Sequence, residues 1–448
     1  MTIIPLAPAT NQGNVKKQVK NQIILPEAPE AKPPAAARTV TAPKTVAPPK
    51  TVTAPKTVAP PKTVAEAPAP QSGPAAAPPE GSEEHARSVE AGLSYARTVD
   101  RYLVHRESLG EVFLTDLQRI DEDRYAVAAQ LPRSHAYYGD HLLRPNTYDP
   151  VLLLEACRQA TLAGAHQFFE VPGNNKFILT HLTASLTHPR WITVGQSPFP
   201  LTMRVSTVDR KEREGRTTGI DSTIELSVEG TVLGRATVGL RFKTPSGYLA
   251  LRLNNRDGAA LPTSAGHPTR LPGSPVAPYL VGRTNPDNVV LVDAQTDGET
   301  ARARLRIPAD HPSMFDHAQD HLPGMVLVEA ARQLALLTVL DARGVSAVKA
   351  FPIDLDAIFT SFGELEEDTV LTAELGEPRG LAEDERFSYT QGGVLDLAEL
   401  SDHYHHLDPG TVADLLPVRV EARQGDKQLC VFKVMVKRIQ AEPPTEGR

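Results

Sequence analysis

The chain has 448 residues, 40% of them hydrophobic, a formal net charge of −7 and two cysteines. That length has room for two or three domains with cores of their own, and so mild a negative charge argues against nucleic-acid partners. Cys157 and Cys430 offer neither a disulfide framework nor metal spacing, and both lie in apolar periodic segments where buried free thiols occur. The start lacks the charged and then apolar pattern of a secretory signal, and no apolar run approaches the roughly 18 residues of a membrane span. The expectation is a cytoplasmic protein with no membrane contact.

Residues 1 to about 95 form a Pro/Ala/Thr/Val/Lys-rich tail with no aromatic residue before Tyr95, and TVTAPKTVAPPK at 39–50 recurs at 51–62. Prolines at that density break both helix and ladder hydrogen bonding, so a disordered, extended tail is expected. From Ala96 the pattern changes to alternating apolar runs, strand-like through 104–132. Asp149 then stands in N-cap position before Pro150 and a helix to about residue 169, apolar on nearly every side. Strands are expected at 177–186, 201–208, 217–228 and 233–242. A polar, Gly/Pro-containing linker at 254–278 separates this first domain, 96–253, from a second at 279–448. There the order repeats: a strand at 301–307, a helix at 324–340, then strands at 351–359, 369–375, 417–423 and 428–439. The last two are joined by a turn at 424–427, and an insertion at about 381–414 has no counterpart in the first half.

The repetition is arithmetical. Pro132/Pro308, His135/His311, Asp140/Asp316 and His141/His317 are all 176 residues apart, and Glu155/Glu329, Arg158/Arg332 and Gln159/Gln333 are all 174 apart. One two-residue gap reconciles the two blocks. The chain is therefore read as α+β, two copies of a unit in which an antiparallel sheet accompanies one buried helix.

Each of these apolar helices carries Glu, Arg and Gln at i, i+3 and i+4, on one face. Burying an unpaired charge is costly, which leaves two readings. Glu329 and Arg332 form a self-satisfied pair, or Glu329 borders a cavity as an acid/base group; the same choice holds for Glu155. Gly324 opens the second helix and allows close backbone approach, while the free N–H groups at a helix start suit a developing oxyanion. The preceding loop holds three Asp-His pairs, 310–311, 316–317 and 320–321, and an imidazole oriented by a carboxylate is a ready acid/base group. The spacing matches no metal-ligand pattern, and His403, His405 and His406 in the insertion are read as surface. No cofactor-binding or serine-nucleophile motif stands in convincing context.

PGMVLVEAARQ (323–333) resembles the loop-and-helix signature of hotdog-fold β-hydroxyacyl dehydratases, in which an acidic residue follows the glycine by five positions, as Glu329 follows Gly324. The His317–Glu329 interval is two residues short of that pattern, and the first half has Asp149-Pro150 in place of Pro-Gly, so dehydration is disfavoured. A closer resemblance is to AfsA-type proteins, carried by DHAQDHLPGMVLVEAARQ (316–333), VHR and EVFLTD within 104–116, QLPRSHAYY (130–138) and the segment 148–166. It implies tandem hotdog folds, two antiparallel sheets each wrapped around a long helix, forming an intramolecular pseudo-dimer open to further oligomerisation. It also implies transfer of a β-ketoacyl group from an acyl carrier protein or CoA thioester to dihydroxyacetone phosphate, without cofactor or metal. The product leads to a butenolide, γ-butyrolactone or furan signal. A hotdog dehydratase, a thioesterase and a non-catalytic acyl-binding module are the alternatives. On this resemblance the catalytic candidates are Glu329, His317, His321 and Glu155. The substrate-binding candidates are Gly324, Met325, Arg332, Gln333, Arg158 and His141, with Arg332 or Arg158 meeting the phosphate. The intact Pro-Gly turn favours the pocket that contains Glu329.

Overall fold

The computed structural model describes residues 81–187, 192–267, 273–376 and 415–439. The repeated proline motif and the insertion with its three histidines lie outside the described residues. Helix α1 (Glu83–Ala91) falls inside the span expected to be tail, so the folded part begins earlier than residue 96. Ser82 caps α1 by accepting a hydrogen bond from the His85 N–H, 3.1 Å away. Ala86 and Leu93 pack on Ile120, Ala126 and Ala128 of the sheet, and Arg204 bridges Glu83 and Glu90.

After α1 come strands β1 (Leu114–Arg119) and β2 (Arg124–Leu131), helix α2 (Pro150–Phe168), and strands β3 (Lys176–Leu186), β4 (Phe199–Arg213), β5 (Arg216–Val228) and β6 (Thr231–Lys243). Helix α3 (Pro245–Asn255) leads into the second half: β7 (Leu291–Asp297), β8 (Thr300–Leu305), helix α4 (Gly324–Arg343), β9 (Ala350–Phe359), β10 (Val370–Leu375), β11 (Leu415–Gln424) and β12 (Lys427–Arg438). Two of these elements are absent from the sequence reading. Strand β7 is short and ends in exposed polar residues. Helix α3 starts at a Thr244 cap and Pro245 and buries only Tyr248 and Arg252; half of its first eight residues are polar or small, which hides the period.

The twelve strands form one antiparallel sheet in the order β1-β2-β4-β5-β6-β3-β9-β12-β11-β10-β8-β7. Read from the centre outward, each half has the same order, so the repeat in the chain becomes a twofold repeat in space. The two sheets expected from the sequence are continuous, because β3 pairs with β9 in the register Leu182↔Ala357 and Ala184↔Leu355. Each half wraps one helix, and this two-unit hotdog arrangement puts α2 and α4 in a single shared core. Both helices are apolar on all sides because sheet or partner helix surrounds them.

Packing against α2 is tightest at Gly164, where a methyl group would lie 2.3 Å from the ring carbon and hydroxyl of Tyr125. Gly164→Ala gains up to ~1 kcal/mol of helix propensity but overpacks the core by ~1–3 kcal/mol. Denaturant titration should show a net loss of stability, partly restored by adding Tyr125→Leu; equal or greater stability in the single variant would contradict this packing.

Candidate active site

Glu155 and Glu329 are both fully buried, and each is held by two guanidinium groups. Glu155 accepts from Arg106 at 2.6 Å, from Arg158 at 2.7 and 2.8 Å and from Gln159 at 2.9 Å. Glu329 accepts from Arg283 at 3.0 Å, Arg332 at 2.8 Å, Gln333, and the Tyr137 hydroxyl at 3.0 Å. Burial pushes both carboxyls up, but the arginines outweigh it and bring each down to about 2. Both carboxyls are therefore ionised at neutral pH and poor as proton acceptors there. Gln159 and Gln333 tie the helices to the preceding segments: Gln159 bridges Phe113 N and Glu111 O, and Gln333 bridges Val290 N and Asn288 O.

Arg106 and Arg283 were missed in the sequence, though a signal was present. YLVHR (102–106) and YLVGR (279–283) repeat with an offset of 177 residues. His105 has φ 53° where the other copy has Gly282 at φ 78°. A non-glycine residue held in the left-handed region is strained, and such strain gathers at functional positions.

The helix starts separate the halves. At α2, Asp149 caps its own helix through Val151 N at 2.9 Å and also accepts from Arg332 at 3.1 Å. This half-site is filled from within. At α4 the cap position is Pro323, with no side-chain cap, which leaves the Gly324 and Met325 N–H groups free of a capping acceptor among the described residues.

A cavity of about 1740 Å³ opens at this second start. Pro323, Gly324 and Met325 form one wall, and Arg106, Arg158 and His166 from the first half face it. The site thus straddles the halves: the Pro-Gly turn of α4 looks across at Arg158 and at the Glu155 network behind it. The Glu329 surroundings favoured from the sequence are a different place from this cavity. Glu329, Arg332 and Gln333 do not line this cavity, because Asp149, Tyr137 and Arg283 enclose them. His141 is likewise removed, buried with its Nε2 2.7 Å from the Thr147 carbonyl oxygen.

His317 and His321 both line the cavity. His317 Nε2 lies 2.6 Å from the Gln319 side-chain amide and its Nδ1 3.4 Å from Asp316. Asp316 is itself spent on the Glu107 and Ser108 N–H groups. His321 has the stronger partner: Asp320 lies 2.6 Å from its Nδ1 and also accepts from the Tyr248 hydroxyl at 2.8 Å. Burial raises the Asp320 carboxyl, and the His321 and Tyr248 hydrogen bonds overcome that rise. The dyad is braced by α3, where buried Arg252 donates to Glu364 at 2.7 and 2.9 Å and to the Asp320 carbonyl at 2.9 Å. Deeper in, His105 Nε2 and His166 Nε2 lie 2.8 Å apart, and His166 Nδ1 donates to the Val171 carbonyl. Burial, then His166, Arg158, His317 and Lys176, lower His105 to about 3. Apolar wall is supplied by Leu162, Val171, Phe177 and Leu240.

The family profile described as an A-factor biosynthesis hotdog domain, AfsA, matches residues 89–243 and 267–391. The chain belongs to the AfsA family. A relative from Streptomyces virginiae named 2-oxo-3-(phosphooxy)propyl 3-oxoalkanoate synthase is 33% identical over 278 residues, 62% of this chain and 87% of the relative. A protein of the same name from Streptomyces griseus subsp. griseus is 31% identical over 267 residues, 59% of this chain and 79% of its own length. Among solved structures, the pyran synthase domain from module nine of the sorangicin pathway aligns with a TM-score of 0.41 at 14% identity, over 73% of this chain and 98% of that one. Among the described residues no helix is long and apolar enough to cross a membrane.

Because the Glu329 carboxyl falls from 4.5 to about 2 on folding, its ion pairs stabilise the protein fully above about pH 4.5 and are lost as the pH falls toward 2. Glu329→Gln leaves Arg283 and Arg332 short of an anion and should cost ~3–5 kcal/mol at pH 7. Its stability should also fall less steeply than wild type between pH 4.5 and 2 in denaturant titrations across that range. An unchanged stability would remove the carboxylate from the anchor.

Proposed function

We propose that this AfsA-family chain transfers a 3-oxoacyl group from an acyl carrier protein or CoA thioester to the hydroxyl of dihydroxyacetone phosphate. The product is the 2-oxo-3-(phosphooxy)propyl 3-oxoalkanoate ester for which its relatives are named, at the entry to an A-factor-type signal. The observation that carries this reading is an uncapped helix start and an oriented imidazole sharing one cavity.

The thioester carbonyl lies at the start of α4, where the Gly324 N–H and the positive end of the helix dipole polarise it. His321 has its Nδ1 engaged by Asp320, so its Nε2 is the atom left to take the hydroxyl proton. The alkoxide oxygen bonds to the carbonyl carbon, the carbon–sulfur bond breaks, and the same imidazole returns the proton to the departing thiolate. The acyl chain runs along the apolar wall past Phe177. Glu155 holds Arg106 and Arg158 in place and moves no proton, since its carboxyl stays ionised.

Mass spectrometry after mixing the protein with a 3-oxoacyl thioester and dihydroxyacetone phosphate tests the reaction. The expected product is a phosphate-bearing ester or its cyclised form. An enoyl thioester or free acid supports a dehydratase or thioesterase instead, and no product supports an acyl-binding module. His321→Gln should lower kcat about 10²–10⁴-fold with folding retained; full turnover in that variant would transfer the base role elsewhere in the cavity.

A further inference from the structure

We infer that Arg158 and the Met325 N–H form the subsite for the phosphate monoester of the acceptor, and that the sealed half carries an internal copy of that anion. The identity of the ligand rests on the acyl-transfer reading above; the geometry does not.

The argument comes from the repeat. In the sealed half the Asp149 carboxylate spans two donors, one oxygen on Val151 N at 2.9 Å and the other on Arg332 Nη1 at 3.1 Å. Shifted by 174 residues, the same two donors in the open half are the Met325 N–H and Arg158, both on the cavity wall. The place of the carboxylate falls to Pro323, which has none. The second guanidinium differs between the halves in whether it reaches the cavity. Arg283 pairs with Glu329 and donates to the Tyr137 and Asp140 carbonyls, and it does not line the cavity. Its counterpart Arg106 is 8% exposed, pairs with Glu155, and leaves Nε without a hydrogen-bond partner among the described residues. A buried guanidinium N–H lacking an acceptor is costly, and on a cavity wall, as at Arg106, a ligand oxygen can supply that acceptor.

A ligand with two anionic oxygens about as far apart as those of a carboxylate fits these donors, and a phosphate supplies them with a permanent charge. A guanidinium fork and a helix-start amide are the two groups best suited to receive it. Phosphate also occurs in the phosphopantetheine arm of the donor, as a diester. The acceptor is favoured because the subsite adjoins the Gly324 amide, one residue from the reacting carbonyl, whereas the arm's phosphate lies a pantetheine length away.

Calorimetric titration with inorganic phosphate, dihydroxyacetone phosphate and dihydroxyacetone reads binding without turnover. Wild type should bind dihydroxyacetone phosphate, and dihydroxyacetone at least about 10-fold more weakly. Pro323→Asp rebuilds the sealed arrangement, and aspartate is a good helix cap. This variant should keep or raise its Tm while losing phosphate binding. Arg158→Gln should weaken binding about 10- to 100-fold, with partial recovery in Arg158→Lys. Undiminished phosphate binding in a folded Pro323→Asp protein overturns the inference. So does loss of affinity in Arg158→Gln for a phosphopantetheine thioester but not for dihydroxyacetone phosphate, which would assign the anion to the donor. A kcat loss in Arg158→Gln with unchanged KM for dihydroxyacetone phosphate overturns it too, in favour of a transient oxyanion. Phosphate binding as described but no ester formed would refute the acyl-transfer reading and leave the subsite standing. Ester formed by Pro323→Asp at an unchanged KM would do the reverse.

Discussion

A carboxylate in the middle of an apolar helix must be paired, and that requirement organises this molecule. Glu155 and Glu329 have no exposure to water, so each draws in an arginine one helical turn away and a second from a segment well before the helix. That second arginine, Arg106 or Arg283, anchors the chain ahead of the first strand of each half against the helix. The neighbouring glutamine does the same through backbone groups at residues 111–113 and 288–290. The ion pairs thereby set where the entering segment lies, and with it one side of each potential ligand site.

The repeat holds two such sites, and the residue in the helix cap position differs between them. Asp149 caps α2, accepts from Arg332 and fills its half-site. Pro323 cannot cap α4, and the helix start remains available beside Arg158, whose side chain meets only Glu155 among the described residues. Stability and function pull in opposite directions here: the capped copy is the better helix start, and the uncapped copy has somewhere to put a substrate. The strained His105, standing where the sealed copy has Gly282, belongs to the open side as well.

The loop before α4 acquires its chemistry from what braces it. Of the Asp-His pairs in sequence, one is consumed in holding a neighbouring backbone: Asp316 receives the Glu107 and Ser108 N–H groups. His311 is also buried, with Nε2 2.7 Å from the Asn288 side chain. Among the described Asp-His pairs only Asp320–His321 combines a short carboxylate contact with a place on the cavity wall, and α3 supplies the Tyr248 and Arg252 contacts that keep it there.

The amino-acid sequence by itself determined the tandem architecture, because apolar periodicity and paired Glu-Arg-Gln trios are local patterns that survive duplication. It also picked out Gly324, Met325, Arg158, His317 and His321, which share the cavity wall, and it placed the two helices and most strands to within a few residues. It misjudged the tail boundary, since α1 is held by contacts to residues over 100 positions away, such as Arg204. Only the tertiary structure decided which residues meet. Side by side in the chain, Gly324 and Glu329 look like one site. In space they serve different ones, because α2 and α4 pack so that each helix start faces the middle of the other. The Pro-Gly turn therefore meets Arg158, Arg106 and His166 from the first half, while Glu329 turns toward Asp149 and Tyr137. No spacing within one repeat encodes that exchange; it follows from the β3–β9 pairing that joins the halves about a twofold axis.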